Sequence, residues 1–354
     1  MVKKQIFTTI KFWAGLLFAQ FLLFYIFSKS EFFINLFSYL FEVKKNLHQS
    51  LFSEIPFSVG DLFYLLFIIY FIFVFIKIIR NKSRKFYVKT LLISINIFYF
   101  IYQILWGMLY FQIPLKEKLP QGKATEAEIK ALVSKYITLC NNDRNTLKEN
   151  KNGVFIIENL NQTKSSILKA QTKIPEIFLN KSLTNIDDIK PTFFGKLMNY
   201  TGILGYYNPF SGEAQYNDNL PSTFIPYTLA HESAHQIGFA REQEANFIAY
   251  LISKNSQDKE IEYSCDLYVL KSLLKSLQEK NPVYVKMSLK SLNTEVQRDL
   301  KNDKEFSENY SGIIRQLFYF SNDLFLKSNQ QDGNITYSYF VDLLVRYERN
   351  LKNQ

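Results

Sequence analysis

Three runs of uncharged, mostly apolar residues constrain this chain more than any other feature: Phe12–Ser28, Leu62–Ile76 and Thr90–Leu115. A helix crosses the hydrocarbon core of a bilayer with about 20 such residues. The third run meets that length by itself, and the first two meet it with their flanks, Lys77 snorkelling toward the headgroups. Transmembrane helices are therefore expected at about 10–28, 61–79 and 90–113. No small-residue cleavage pattern follows the first run, where the chain reads FYIFSKSEFF, so it is expected to stay as an anchor. Between the first two runs, Glu31–Glu42 reads as an amphipathic helix lying in the interface.

The 34 Phe and 23 Tyr of the 354 residues are unevenly spread, and the positions after Leu115 read as an ordinary polar sequence. The mean hydropathy of −0.08 thus averages two regions built for different solvents. The net charge of +10 raises the question of nucleic acid. No basic stretch interleaves with aromatics as a binding surface would, and much of the positive charge flanks the apolar runs. The expected partner is the lipid bilayer, with no nucleic acid. Lys3, Lys4 and Lys11 precede the first run, and the 77–89 loop carries six basic residues and no acid. The positive-inside rule puts both in the cytoplasm. Three crossings then leave residues 116–354 outside an inner (cytoplasmic) membrane. Cys140 and Cys265 are too few for a zinc knuckle; they read as two thiols or a single bridge.

Beyond Lys116 the pattern is mainly helical. Thr125–Thr138, Glu260–Gln278, Val283–Leu300, Gly312–Lys327 and Tyr337–Leu351 have helical spacing, whereas Gly153–Asn159 and Glu213–Asn217 are strand-like. The expected fold class is mainly α: three transmembrane helices, then an α+β extracytoplasmic domain with a helical C-terminal part.

The chemistry concentrates in HESAHQIGFAREQEAN, His231–Asn246. On a helix, positions i and i+4 differ by about 40° in azimuth and 6 Å in rise, so His231 and His235 can reach one ion. Glu232 stands where a general base would take a proton from a metal-bound water. Pro226 suits the first turn and Gly238 the position after the last, which predicts a motif helix over 226–237.

A third ligand cannot come from an unbroken helix, because Glu242 would then lie about 10 Å further along the axis. Gly238 can adopt positive φ, stop the helix and return the chain across the site. The metzincin pattern fails, since its third histidine would fall at Arg241. Glu242 follows directly and shares a helix face with Asn246, the spacing at which gluzincins place a ligand Glu and a supporting Asp. Asn246 would then accept the other ring N–H of a ligand histidine. Glu244 competes for the ligand role but points about 200° away from Glu242. Arg241 reads as an oxyanion stabiliser or a structural ion pair. Tyr206, Tyr207 and Tyr216 read as packing residues or as suppliers of an electrophilic hydroxyl.

Three stretches resemble an uncharacterised bacterial domain-of-unknown-function family of membrane-anchored, zincin-like proteins of gluzincin type. They are WGMLYFQIPLKEKL (Trp106–Leu119), GYYNPFSGEAQYN (Gly205–Asn217) and PYTLAHESAHQIGFAREQEANFIAYL (Pro226–Leu251). The resemblance implies a zinc peptidase-like domain, with an extended segment before the motif helix along which a peptide would align. Asn246 departs from the gluzincin Asp.

Residues and resemblance together predict a membrane-anchored zinc metallopeptidase with His231, His235 and Glu242 on Zn2+ and Glu232 as general base. Its substrate would be a peptide or protein of the envelope. The rival expectation is a non-catalytic zinc-binding or scaffold domain tethered to the membrane.

Overall fold

The computed structural model describes residues 9–80, 82–178, 181–184, 189–329, 331–333 and 339–352. The protein is mainly helical with one small sheet, and it divides into two compact units: Met1–Gln112 with Asn208–Glu213, and Ile113–Tyr207 with Ala214–Gln354.

The first unit contains α1 (Ile10–Phe27), α2 (Glu31–Phe52), α3 (Val59–Arg80) and α4 (Arg84–Leu105). Of these, α1, α3 and α4 are long and apolar enough to cross a membrane. Their Phe, Ile and Leu side chains point mostly outward, as expected where lipid rather than water is the solvent. Polar side chains join the helices where apolar packing alone would leave them free to slide. Gln20 donates to Asn96 Oδ1 at 3.2 Å, Asn96 donates to the Trp13 carbonyl at 3.0 Å, and Tyr70 and Ser94 share a bond of 2.6 Å. The third apolar helix ends at Leu105 rather than near 113. Trp106 takes φ −150°, and Gly107–Phe111 continues as a 3-10 turn folded over α4. Helix α2 runs ten residues past the amphipathic stretch expected at Glu31–Glu42.

Asn208–Glu213 belongs to this first unit although it sits far along the chain. Its Phe210 ring meets Phe67 of α3 at 5.6 Å and Phe98 of α4 at 6.4 Å. The Glu213 carboxylate accepts the Val59 and Gly60 amides at 3.2 and 2.6 Å, satisfying orphan N–H groups in the first turn of α3. Lys44 donates to the Pro209 carbonyl at 3.1 Å.

The second unit opens with α5 (Glu126–Arg144), started by a capping box between Thr125 and Glu128. Helix α6 (Leu160–Gln171) follows, then β1 (Ile189–Pro191), α7 (Gly195–Thr201), β2 (Gly205–Tyr207) and β3 (Ala214–Tyr216). The strand order is β1-β3-β2, with β1 parallel and β2 antiparallel to β3; Gly205 faces Tyr216 and Ile189 faces Ala214. Then come α8 (Ile225–Ile237), α9 (Glu242–Asn255), α10 (Lys259–Leu277), α11 (Pro282–Lys290), α12 (Thr294–Asn309), α13 (Ile313–Ser328) and α14 (Tyr339–Lys352). Helix α8 packs on all three strands and on α9, while α10 packs along α5.

The strand-like Glu213–Asn217 contains β3. Gly153–Asn159 does not form a sheet strand; only a bridge between Glu149 and Phe155 marks it. Its extended backbone is instead held by the Asp299 carboxylate, which accepts the Phe155 amide at 2.9 Å. Val283–Leu300 is not one helix. The chain breaks after Lys290, and Asn293 caps α12 through its side chain, as expected of a residue that bonds the backbone locally. The C-terminal helix starts at Tyr339; positions 337 and 338 of the expected span lie outside the described residues. Both cysteines are buried thiols.

Candidate metal site

Helix α8 carries His231, Glu232 and His235, and it ends as its glycine requires. Gly238 takes φ 110°, and its amide bonds back to the Ala234 and His235 carbonyls. Three residues later Arg241 is the N-cap of α9, which Glu242 opens. The reversal brings His231, His235 and Glu242 together, with one ligand atom from each within 4.8 Å of the others.

The geometry fixes which atoms converge. His231 Nε2 lies 3.4 Å from Glu242 Oε2, and His235 Nε2 lies 3.7 Å from Glu242 Oε1. Ligands bound tetrahedrally to zinc at 2.0–2.1 Å stand about 3.3 Å apart, so small side-chain adjustments would close the set. His235 Nδ1 lies 2.7 Å from the Phe239 carbonyl. A carbonyl only accepts, so Nδ1 carries the hydrogen and the Nε2 lone pair faces Glu242, the tautomer a metal ligand needs. The donor set of two imidazoles and a carboxylate fits zinc.

Two buried polar groups beside His231 lack partners among the described residues: its own Nδ1 and Asn246 Nδ2. Asn246 Oδ1 accepts from Tyr227 Oη at 2.6 Å, and the amide lies next to the His231 ring. A half-turn of that amide makes an Nδ1–H···Oδ1 bond while Tyr227 Oη accepts from Nδ2. Tyr227 is stacked on Tyr268 with ring centroids 3.8 Å apart, which holds this support rigid. Neither tyrosine stood out in the sequence. The available signal was Tyr227's position four before His231, which places it on the same helix face.

Glu232 is buried, and its Oε2 has no partner among the described residues. Burial pushes its pKa up to about 8; the neighbouring His231 opposes that rise and Glu242 adds to it. At His231 burial pulls the pKa down, yet the Glu242 and Glu232 carboxylates outweigh it and hold the ring above its ordinary value. At His235 burial wins and the pKa falls to about 4. Burial pushes Glu242 up, but the two histidines outweigh it and keep its pKa below the usual value.

The remaining candidates have other partners. Glu244 accepts from Arg241 at 3.0 Å and from the Leu115 amide at 2.9 Å, so this carboxylate joins the start of the unit to α9. Arg241 is thereby a structural ion pair. Tyr206 Oη lies 3.5 Å from Thr192 Oγ1, while Tyr207 and Tyr216 are buried. Ser233, in the middle of the motif, accepts from Gln171 Nε2 and ties α8 to α6. Gly205 is the unforeseen neighbour: a Cβ there would stand 2.7 Å from Glu232 Oε1 and 2.7 Å from the Gln215 carbonyl. Only glycine lets β2 run this close to the glutamate.

A mainly helical, membrane-associated chain with a partly buried His-His-Glu cluster is thus defined. The sequence matches the family described as "Protein of unknown function (DUF3810)" over residues 37–345, and the chain belongs to that family. The match takes in most of both units. No curated protein and no solved structure matches it.

Proposed function

We propose that this protein is a membrane-anchored zinc metallopeptidase, with His231, His235 and Glu242 as ligands and Glu232 as general base. The observation that carries the reading is the convergence of three ligand atoms within 4.8 Å beside a buried glutamate that is not itself in the set. Zinc held there would supply Lewis acidity and a water of lowered pKa. Glu232 takes the water's proton on Oε2, the oxygen without a partner, and returns it to the amine that leaves as the peptide bond breaks. Strand β2 lies at an edge of the sheet beside Glu232, the position along which an extended peptide would align.

Three ligands leave a fourth position for water, whereas a zinc that only staples a fold normally has four protein ligands. The six basic residues of loop 77–89 support a cytoplasmic N-terminus, and with three crossings the proposed site would face envelope peptides. The test uses the full chain in phosphatidylcholine vesicles, with metal analysis and digestion of a mixed peptide pool. Wild type should hold one zinc per chain and cleave; Glu232→Gln should keep the zinc and lose cleavage. Zinc-loaded wild type and Glu232→Gln behaving alike would leave a binding or scaffold role instead, and absence of zinc from the wild type would sink both.

A further inference from the structure

Helix α13 turns its apolar side outward. Ile313, Leu317, Phe320 and Leu324 recur at i, i+4, i+7 and i+11, which is one face of a helix, and they are 73%, 63%, 63% and 53% exposed. Helix α13 packs on α7, which also turns apolar residues outward: Leu197 and Tyr200 on the helix and Phe193 in the turn before it are 59%, 44% and 58% exposed. The two are pinned together by Tyr200 against Tyr310 at 5.0 Å and by the Arg315 guanidinium over Gly202. Large side chains of this kind present 150–250 Å² each, so the combined apolar face is on the order of 700 Å². A patch of that size on a water-soluble surface marks a partner.

We infer that this face docks flat on the bilayer in which the chain's own apolar helices sit. Each copy of the second unit is covalently held beside a membrane, because Ile113 follows α4 by only eight residues. The lipid surface is therefore present at high effective concentration without a separate encounter. The rim fits a lipid interface more than a charged protein partner. Lys327 pairs with Asp323 at 2.7 Å, leaving little net charge along the stripe, and Lys196, Tyr200 and Tyr319 are exposed on the same two helices, side chains whose polar tips suit a headgroup region. Such a helix sinks its apolar face about 5–10 Å into the headgroup boundary. Since α7 ends four residues before Gly205, docking would fix the orientation of the strand beside Glu232 relative to the lipid. The inference stands whether or not the metal cluster is catalytic.

The experiment places a polarity-sensitive fluorophore on Phe320→Cys, and separately on Lys301→Cys, a 77%-exposed position on α12. Both are made in the full chain and reconstituted in phosphatidylcholine vesicles with and without phosphatidylglycerol. The native thiols are buried and stay unlabelled. The label at 320 should emit at shorter wavelength, lose most of its emission to a quencher attached to lipid tails, and ignore iodide in the water, in both lipid mixtures. The label at 301 should do the reverse. Equal iodide quenching at both sites overturns the inference. So does protection at 320 that disappears as protein is diluted in lipid, which would make the face a contact between copies.

Discussion

Two buried polar clusters in the second unit differ in one respect. The first joins α5 to α12: Asp299 Oδ2 accepts from Arg144 Nε at 2.7 Å and from Tyr263 Oη at 2.6 Å, while Oδ1 accepts from the Phe155 amide at 2.9 Å. Arg144 Nη2 donates to the Gly153 carbonyl at 2.9 Å and to Glu149 at 3.1 Å. Arg144 and both Asp299 oxygens thus have protein partners there. In the second cluster a half-turn of the Asn246 amide pairs it with His231 Nδ1, but Glu232 Oε2 has no partner among the described residues, and two imidazole nitrogens converge on one carboxylate. Leaving a buried polar atom unpaired costs about 1–3 kcal/mol, a cost that the second cluster carries at Glu232. We read the closed cluster as holding the fold and the open one as the proposed zinc site.

That contrast can be broken by mutation. The largest effect should come from the closed cluster. Arg144→Ala strands a fully buried carboxylate and should cost about 3–5 kcal/mol in chemical unfolding of the second unit. A cost below about 1 kcal/mol would show that Asp299 needs no partner. Next, excess zinc at about 100 times its dissociation constant should stabilise the wild type by about 2.7 kcal/mol, and chelation should remove that gain. His235→Ala should show neither effect, and retention of stoichiometric zinc would break the ligand assignment. Asn246→Ala should weaken zinc binding by about 10–100-fold in competition with a chromogenic chelator, through loss of support for the His231 ring. An unchanged affinity would reduce Asn246 to packing. The smallest effect should be on metal-free stability in Glu232→Gln, within about 1 kcal/mol of wild type, because the carboxyl removed has an oxygen already without a partner.

Much of this was readable from the residues. The apolar runs predicted three long helices because lipid as a solvent leaves few alternatives, and Pro226 and Gly238 marked the ends of α8 within a residue. The convergence of Glu242 with the histidines followed from one glycine able to take positive φ. The illegible parts were those decided by distant partners. Strand β1 is three residues ending in proline, and it is a strand only because Ala214–Tyr216 lies beside it. Gly153–Asn159 has strand-like composition but meets a carboxylate from α12 rather than a neighbouring strand. Short helices such as α7 give too few turns for periodicity to declare. Nothing local says that Phe210 packs on Phe67, since 143 positions separate them.

The Asn208–Glu213 excursion has a practical consequence. The second unit is not one uninterrupted stretch of chain, and a single cut after Gln112 does not release it whole. The excised piece would carry a hairpin whose Phe210 has lost its aromatic neighbours and whose Glu213 has lost the amides it capped. That hairpin also spaces β2 from β3, so truncation damage would be felt at the strand that touches Glu232. A silent soluble fragment would say little about the intact protein.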